Sequence, residues 1–179
     1  MLRGDLPHYF SHYPILAAAV AASSGPILEL GVGHGSTYML HYMGLMSKRR
    51  VVSAETDKAW LEGFRDGYES PLHEFVHVTD WPSWNRIESE IWGAALVDCA
   101  PGEERYKLAD RLRHVCRWIV CHDSEKDYGS GGNYMYEKIL PRFRFVSEWR
   151  RCRPYTFVLS DYAAFPIEDC DRKWEPPKP

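Results

Sequence analysis

The sequence predicts an α/β protein, a three-layer sandwich in which a mostly parallel seven-stranded sheet carries helices on both faces. Seven short apolar runs occur along the chain, and amphipathic stretches of helical length separate the first five of them. Repeated strand–helix units of this kind build parallel sheets that are covered on both sides. The last two runs are too close together for a crossover helix, so they predict an antiparallel hairpin at the sheet edge.

Each element follows from this pattern. The predicted strands are residues 27–30, 51–54, 75–78, 94–97, 118–121, 143–148 and 156–159. The predicted helices between and after them are residues 37–46, 57–67, 84–91, 103–115 and 135–142. The apolar segment 14–22 has no basic cluster before it and is too short to span a bilayer, so we expect a buried first helix rather than a signal peptide.

Composition limits the class of protein. The chain has 179 residues, of which 45% are hydrophobic and 26% are charged, and this is typical of one globular domain. The net charge of −3 gives no electrostatic argument for nucleic-acid binding. Five cysteines without C-x-x-C spacing are typical of reduced thiols, which favours a cytoplasmic protein without a zinc site.

The most informative segment is residues 29–37, ELGVGHGST, which joins the first strand to the next helix. Glycines at such a turn let the backbone approach a ligand, and the helix N-terminus then offers free N–H groups. A tight strand-to-helix turn without a ligand has the same appearance. The dinucleotide fingerprint G-x-G-x-x-G is absent because Ser36 stands at its third glycine position.

This acid-x-G-x-G-x-G pattern resembles the first motif of the class I S-adenosylmethionine-dependent methyltransferases, which have a Rossmann-like fold. The resemblance covers about residues 25–161 and implies one domain: a helical cap over 1–24, a cofactor-binding core over 25–161 and an extended tail over 162–179. It implies S-adenosylmethionine as cofactor. The motif residues that would bind it are Glu29, Gly31, Gly33, Gly35 and Ser36.

Acids also stand at the ends of the second and third predicted strands. Glu55 is placed to accept hydrogen bonds from ribose hydroxyls, as acids do in dinucleotide-binding folds, although a surface carboxylate is the alternative. Asp80 is placed to accept a hydrogen bond from the adenine amine, with Trp81 stacking on the ring. Asp80 would equally cap the helix that begins near Pro82.

The ends of the fourth and fifth strands predict the reacting groups, Asp98, His122 and Asp123. In methyltransferases acting on catechols and sugar hydroxyls, acids at these positions hold a metal. The resemblance therefore implies Mg²⁺ or Mn²⁺ on Asp98 and Asp123. Without a metal, His122 is the expected general base. Loop capping is the structural alternative for His122 and Asp123.

Together these features predict a methyltransferase acting on a hydroxyl oxygen of a small molecule. The Pro-Cys and Asn/Asp-Pro-Pro-aromatic motifs of base-modifying methyltransferases are absent, so we expect no nucleic-acid partner; no membrane partner is expected either, and a homodimer is left open. A non-catalytic scaffold subunit and other chemistry on the same cofactor are the alternatives. The glycine-rich segment 126–134 reads equally as a lid over the site or as a plain connection.

Overall fold

A computed structural model describes residues 10–125 and 134–167. Its strands are β1 (Ile27–Leu30), β2 (Val51–Glu55), β3 (His73–His77), β4 (Trp92–Val97), β5 (Cys116–His122), β6 (Phe145–Trp149) and β7 (Thr156–Ser160). Its helices are α1 (Tyr13–Ala21), α2 (Thr37–Ser47), α3 (Lys58–Tyr68), α4 (Arg86–Ser89) and α5 (Arg105–Leu112).

All seven strands form one sheet in the order β3-β2-β1-β4-β5-β7-β6. The first five strands run parallel, whereas β7 is antiparallel to both β5 and β6. The predicted parallel sheet with an antiparallel hairpin at its edge is confirmed. The strand order reverses between β1 and β4, and open α/β sheets bind their ligands at such a point.

The register brings the ends of the parallel strands to one edge. Leu30 of β1 is paired with Ala54 of β2 on one side and with Val97 of β4 on the other, and Val97 is paired with Cys121 of β5. The residues that follow, among them Asp98, therefore emerge side by side. The sequence places polar or glycine residues at all of these positions.

Apolar side chains cover both faces of the sheet, because neighbouring residues of a strand point to opposite sides. Leu28 of β1 packs in one cluster with Leu108 of α5, whereas Ile27 packs in another with Ile15 of α1 and Leu40 of α2. The predicted helical layers on both faces are confirmed. Among the residues described, no helix has the length and apolar character that crossing a membrane requires.

The helix predicted over residues 135–142 is wrong. Two 3₁₀ turns, Tyr136–Lys138 and Leu140–Arg142, stand there instead. Pro141 has no N–H, and its ring would collide with the carbonyl of residue 137 in a continuous α-helix. The proposed lid over 126–134 falls, except for Tyr134, outside the described residues and stays a prediction, as does the tail beyond residue 167.

Candidate functional site

A cleft of about 730 Å³ opens at the carboxyl ends of β1, β4 and β5. Its volume lies in the range of about 300–1,000 Å³ that is typical of small-molecule and cofactor sites. The predicted residues that line it are Gly33, Gly35, Ser36, Asp98, His122 and Asp123. The glycine loop and the polar ends of β4 and β5 thus share one cavity.

Gly31 and Gly33 of the loop are glycine for different structural reasons. Gly31 has a φ of +96°, and a Cβ there would lie 2.5 Å from the carbonyl oxygen of Asp98. It is required for the close approach of the β1 and β4 chains. At Gly33, by contrast, a Cβ would meet only the Gly35 nitrogen, at 4.0 Å, and would project into open space. Gly33 therefore leaves room in the cleft itself.

Glu29 supports the glycine loop from below. Its carboxylate accepts hydrogen bonds from the hydroxyls of Ser36 and Ser53 at 2.5 Å and of Thr37 at 3.0 Å. Its side chain has no exposed surface. Burial raises the pKa of Glu29 to about 7, although the bonds from Ser36 and Ser53 oppose this. The expected contact of Glu29 with the cofactor is corrected to a supporting position beneath the loop.

The raised pKa of Glu29 predicts a pH-dependent effect of Glu29→Gln on stability. Because the folded pKa of about 7 exceeds the usual 4.5, the wild type loses stability as pH rises from 4.5 to 7. The variant lacks this loss. The free energy of unfolding of the variant minus that of the wild type should therefore be about 3 kcal/mol larger at pH 8 than at pH 4.5. Urea unfolding at both pH values measures the change, and parallel behaviour of the two proteins would contradict it.

Glu55, at the end of β2, is 7% exposed and tied to the backbone. Its Oε1 accepts hydrogen bonds from the N–H groups of Thr56 at 2.6 Å and Asp57 at 2.9 Å, and its Oε2 accepts one from Val32 at 3.1 Å. These bonds fix the orientation of the carboxylate. Oε2 keeps the capacity for a second bond, so the ribose contact stays a prediction.

Asp80 and Trp81, the two residues expected at adenine, have different environments. Asp80 is exposed, and its Oδ2 accepts a hydrogen bond from the Ser83 N–H at 3.0 Å within a turn, not at the start of the helix expected near Pro82, so its adenine contact stays a prediction. Trp81 is only 2% exposed, and its indole N–H donates to the Ala100 carbonyl at 2.8 Å. The expected stacking of Trp81 on adenine is therefore wrong, because its ring belongs to the core.

Trp60 is an aromatic residue of the cleft that sequence reasoning missed. It lies in the first turn of α3, lines the cleft and is 44% exposed. Its indole N–H donates to the carbonyl of Val32 at 2.7 Å, which holds the ring beside the glycine loop. The sequence signal that could have identified it is a tryptophan in the first turn of the helix that follows β2.

His122 and Asp123 both reach the cleft because β5 ends between them. Asp123 has a φ of +57°, so the alternation of the strand stops at His122. The Nδ1 atom of His122 lies 3.2 Å from Asp98 Oδ2 and 3.5 Å from Asp123 Oδ1. Its Nε2 atom lies 3.0 Å from the hydroxyl of Ser11. Both ring nitrogens are thus engaged.

Opposite charges stabilise the cluster of Asp98, His122 and Arg105. Burial alone would lower the pKa of His122, but the Asp98 carboxylate outweighs it and raises that pKa. Burial alone would raise the pKa of Asp98, but His122 and Arg105 outweigh it and lower that pKa. Both shifts favour the charged forms of the two partners.

Arg105 stands where the predicted metal ion would lie. Its Nη1 atom is 2.8 Å from Asp98 Oδ1 and 2.9 Å from Asp123 Oδ2, so one guanidinium bridges both carboxylates. The donor set therefore does not fit Mg²⁺ or Mn²⁺, and the predicted metal site on Asp98 and Asp123 is corrected to an ion-pair cluster. Sequence reasoning missed Arg105 because it is the first residue of α5, away from the strand ends.

One group of possible metal ligands occurs among the residues described, namely His12, Asp98 and His122, with ligand atoms within 4.8 Å of one another. Two imidazoles are not the oxygen donors that Mg²⁺ and Mn²⁺ prefer. The sequence analysis did not select His12. It precedes α1, is 1% exposed, and its ring centroid lies 4.5 Å from that of His122.

No protein-family model and no curated protein matches the chain. Solved structures do. The N-terminal domain of human METTL16 in complex with SAH is 15% identical, with a TM-score of 0.60 over 90% of this chain and 73% of that one. An O-methyltransferase from Bacillus cereus in complex with SAH is 15% identical, with a TM-score of 0.62 over 89% and 83%. The catalytic domain of human METTL16 in complex with the MAT2A 3′UTR hairpin 1 is 13% identical, with a TM-score of 0.58 over 90% and 72%.

The RNA-bound structure overturns the expectation of a small-molecule acceptor and no nucleic-acid partner. A catalytic domain of this fold is held there with an RNA hairpin, so the expectation is wrong as stated. Net charge averages over the whole surface and therefore does not report a local basic segment. In this chain residues 142–155 hold five arginines and one glutamate, a local charge of +4 within a chain of net charge −3.

Three observations agree on the architecture. The sheet order reverses between β1 and β4, a glycine loop follows β1, and β7 is inserted antiparallel beside β5. Solved methyltransferase structures match nine-tenths of the chain at identities of 13–15%. At identities this low, structural similarity with TM-scores of 0.58–0.62 establishes the fold and nothing beyond it. The chain has the Rossmann-like fold of the class I S-adenosylmethionine-dependent methyltransferases.

Proposed function

We propose that this chain is an S-adenosylmethionine-dependent methyltransferase that transfers the methyl group to a hydroxyl oxygen. One observation carries the proposal: a single cleft joins an open glycine loop to a buried cluster of histidine, carboxylate and guanidinium groups. The loop offers space for a cofactor, and the cluster offers groups that move or stabilise a proton. The fold alone would support neither the cofactor site nor the proton-transfer role, because one fold hosts many functions.

The loop side of the cleft is suited to bind the cofactor. The bound S-adenosylmethionine would supply an activated methyl group on a sulfonium. Gly33 and Gly35 leave the backbone open, and Ser36 directly precedes α2, whose N-terminus has no side-chain cap and would offer the N–H groups that follow Thr37. Glu55 would accept a ribose hydroxyl with its remaining capacity. Trp60 would shield one side of the ligand from water.

The opposite side is suited to a hydroxyl acceptor, which must lose a proton during the transfer. Asp98, His122 and Asp123 would orient the acceptor and stabilise charge. Cys99 is excluded as a nucleophile because it is 1% exposed and burial raises its pKa to about 12. The absence of a Pro-Pro-aromatic sequence after Asp98 is a further argument against attack by a base amino group.

The arginine-rich segment favours a nucleic acid as one class of acceptor. Arg150, Arg151 and Arg153 are exposed in the connection between β6 and β7, and the neighbouring Pro154 lines the cleft. Arg150 and Arg153 lie over the Tyr155 ring, at 5.6 and 5.2 Å from its centroid. Arginines interleaved with aromatic rings are typical of surfaces that bind single strands. The RNA complex of human METTL16 gives a precedent within this fold.

Cofactor binding and product formation test the proposed function. Calorimetry should detect binding of S-adenosylmethionine and S-adenosylhomocysteine to the wild type. Purified protein should form S-adenosylhomocysteine with at least one acceptor from a set of hydroxyl compounds and RNA and DNA oligonucleotides. Absence of binding at millimolar cofactor would refute the proposal, and binding without turnover on any acceptor would support the scaffold alternative.

Replacing two arginines should weaken RNA binding in particular. For Arg151→Gln with Arg153→Gln, we expect the slope of log affinity against log salt to fall by about 1.4, since each phosphate contact to a single strand contributes about 0.7. Fluorescence anisotropy with a labelled oligonucleotide measures this slope. Arg117→Gln, which removes an exposed arginine of β5, is the matched control. Equal slopes in all three proteins would remove the nucleic-acid candidate.

A further inference from the structure

His12 is a buried histidine whose polar atoms are unused. It is 1% exposed, lines the cleft, and neither ring nitrogen has a hydrogen-bond partner among the described residues. Leaving a buried polar group unsatisfied costs about 1–3 kcal/mol, and such a group in a cleft calls for a functional reason. The position of His12 beside the reacting groups supplies one.

His122 differs from His12 in that both of its ring nitrogens already have hydrogen-bond partners. Its Nε2 atom is engaged with the Ser11 hydroxyl and its Nδ1 atom with the Asp98 carboxylate, at 3.0 and 3.2 Å. The two rings meet edge to face, with centroids 4.5 Å apart. Both nitrogens of His12 lack a partner among the described residues but lie under protein atoms, whereas those of His122 are occupied, so an acceptor hydroxyl that displaces the covering atoms would meet an unpaired nitrogen only at His12.

We propose that His12, not His122, accepts the proton of the acceptor hydroxyl during methyl transfer. The inference rests on the proposed function and names its base. His122 is then a positioning residue, held by Asp98 and packed against His12. The general base then comes from the segment before α1, and not from the end of β5 as the sequence predicted.

The step balances in atoms and charge. The acceptor oxygen forms a bond to the methyl carbon while the carbon–sulfur bond breaks, and sulfur keeps that electron pair. The hydroxyl proton passes to a ring nitrogen of His12. The positive charge of the sulfonium is lost as the positive charge of the imidazolium appears, so the net charge of the cleft stays constant.

The groups that face His12 keep its ring neutral before the reaction. Burial is the largest effect, the charges of His122 and Arg105 act in the same direction, and Asp98 opposes them; together they lower the pKa of His12 to about 3. Tyr13, with its ring centroid 5.5 Å away, completes the surroundings. The imidazole is therefore neutral at pH 7, which is the form that accepts a proton, and a pKa this far below the working pH makes it a weak base.

The pH dependence of turnover separates the two histidines. A general base must be deprotonated, so turnover falls as pH drops through the pKa of that base. If His12 is the base, the acidic limb lies below pH 6.5. If His122 is the base, its raised pKa places the limb above pH 6.5. A limb above pH 6.5 that disappears in His122→Gln would overturn the proposal.

Variants of His12 supply the second test. His12→Gln should lower turnover by about 10²–10⁴-fold and remove the acidic limb. Its affinity for S-adenosylmethionine should stay unchanged, which also confirms folding. Exogenous imidazole should restore part of the turnover of His12→Ala. His114→Gln is the matched control, since that side chain is 75% exposed and outside the cleft. Wild-type turnover in His12→Gln would overturn the proposal.

A spectroscopic titration tests His12 without any acceptor. In protein with labelled histidine rings, the signals missing from His12→Gln identify His12. We expect a neutral His12 ring down to about pH 5 and a His122 ring whose pKa lies above the usual 6.5. A His12 ring that is protonated at the pH of maximal turnover would refute the inference even in an active enzyme. A neutral His12 in a protein that never forms S-adenosylhomocysteine would instead refute the proposed function.

Discussion

Gly33→Val should abolish binding of S-adenosylmethionine while the protein stays folded. A Cβ at Gly33 meets only the Gly35 nitrogen, at 4.0 Å, so the first side-chain atom fits there without a clash. Its methyl groups would instead fill the space above the loop that a cofactor needs. Calorimetry should show no heat of binding at cofactor concentrations that saturate the wild type.

Two other glycines make this result interpretable. Gly63→Val introduces the same side chain on α3, where nothing lies within 4 Å, and should bind the cofactor like the wild type. Gly31→Val should unfold the protein, because its Cβ would lie 2.5 Å from the Asp98 carbonyl oxygen. Thermal melting separates the two kinds of loss. Unchanged affinity in Gly33→Val would show that the loop does not contact the cofactor.

The strands were predictable from the sequence because their signal is local. A strand buried on both faces needs a continuous apolar run, and the predicted run 27–30 coincides with β1. Helix ends were less predictable, since they depend on a few residues. Pro141 is visible in the sequence and forbids an α-helix through residue 141, and the prediction of one helix over 135–142 did not take it into account.

The site was predictable only as far as strand order determines it. Asp98 directly follows β4 and His122 is the last residue of β5, and these two strands are paired, so their proximity follows from the topology. His12 and Arg105 come from segments whose position depends on packing, and nothing local in the sequence marks them. The stacking predicted for Trp81 failed for the same reason, because burial of that ring is a property of the whole core.

Arg105→Met should destabilise the protein by about 3–5 kcal/mol, because it removes the guanidinium that bridges two partly buried carboxylates. Arg105 is 8% exposed and bridges Asp98 and Asp123, and its Nε–H donates to the Cys99 carbonyl at 2.8 Å. Methionine fills a similar volume, so the loss reports mainly on charge. Urea unfolding at pH 7.5 measures it. Arg117→Met, at an exposed site, should change stability by less than about 0.5 kcal/mol.

Two further measurements assign this loss to the carboxylates. Asp123→Asn added to Arg105→Met should restore part of the stability, because one of the two facing charges is gone. Lowering the pH should also reduce the deficit of Arg105→Met, since loss of the guanidinium that lowers the pKa of Asp98 raises that pKa in the variant, and protonation of Asp98 relieves the repulsion between Asp98 and Asp123. A deficit that is equal at pH 5 and pH 8, or a double variant less stable than the single one, would mean that Arg105 acts through packing. Its guanidinium would then not be the internal cation that takes the place of a metal between these two strand ends.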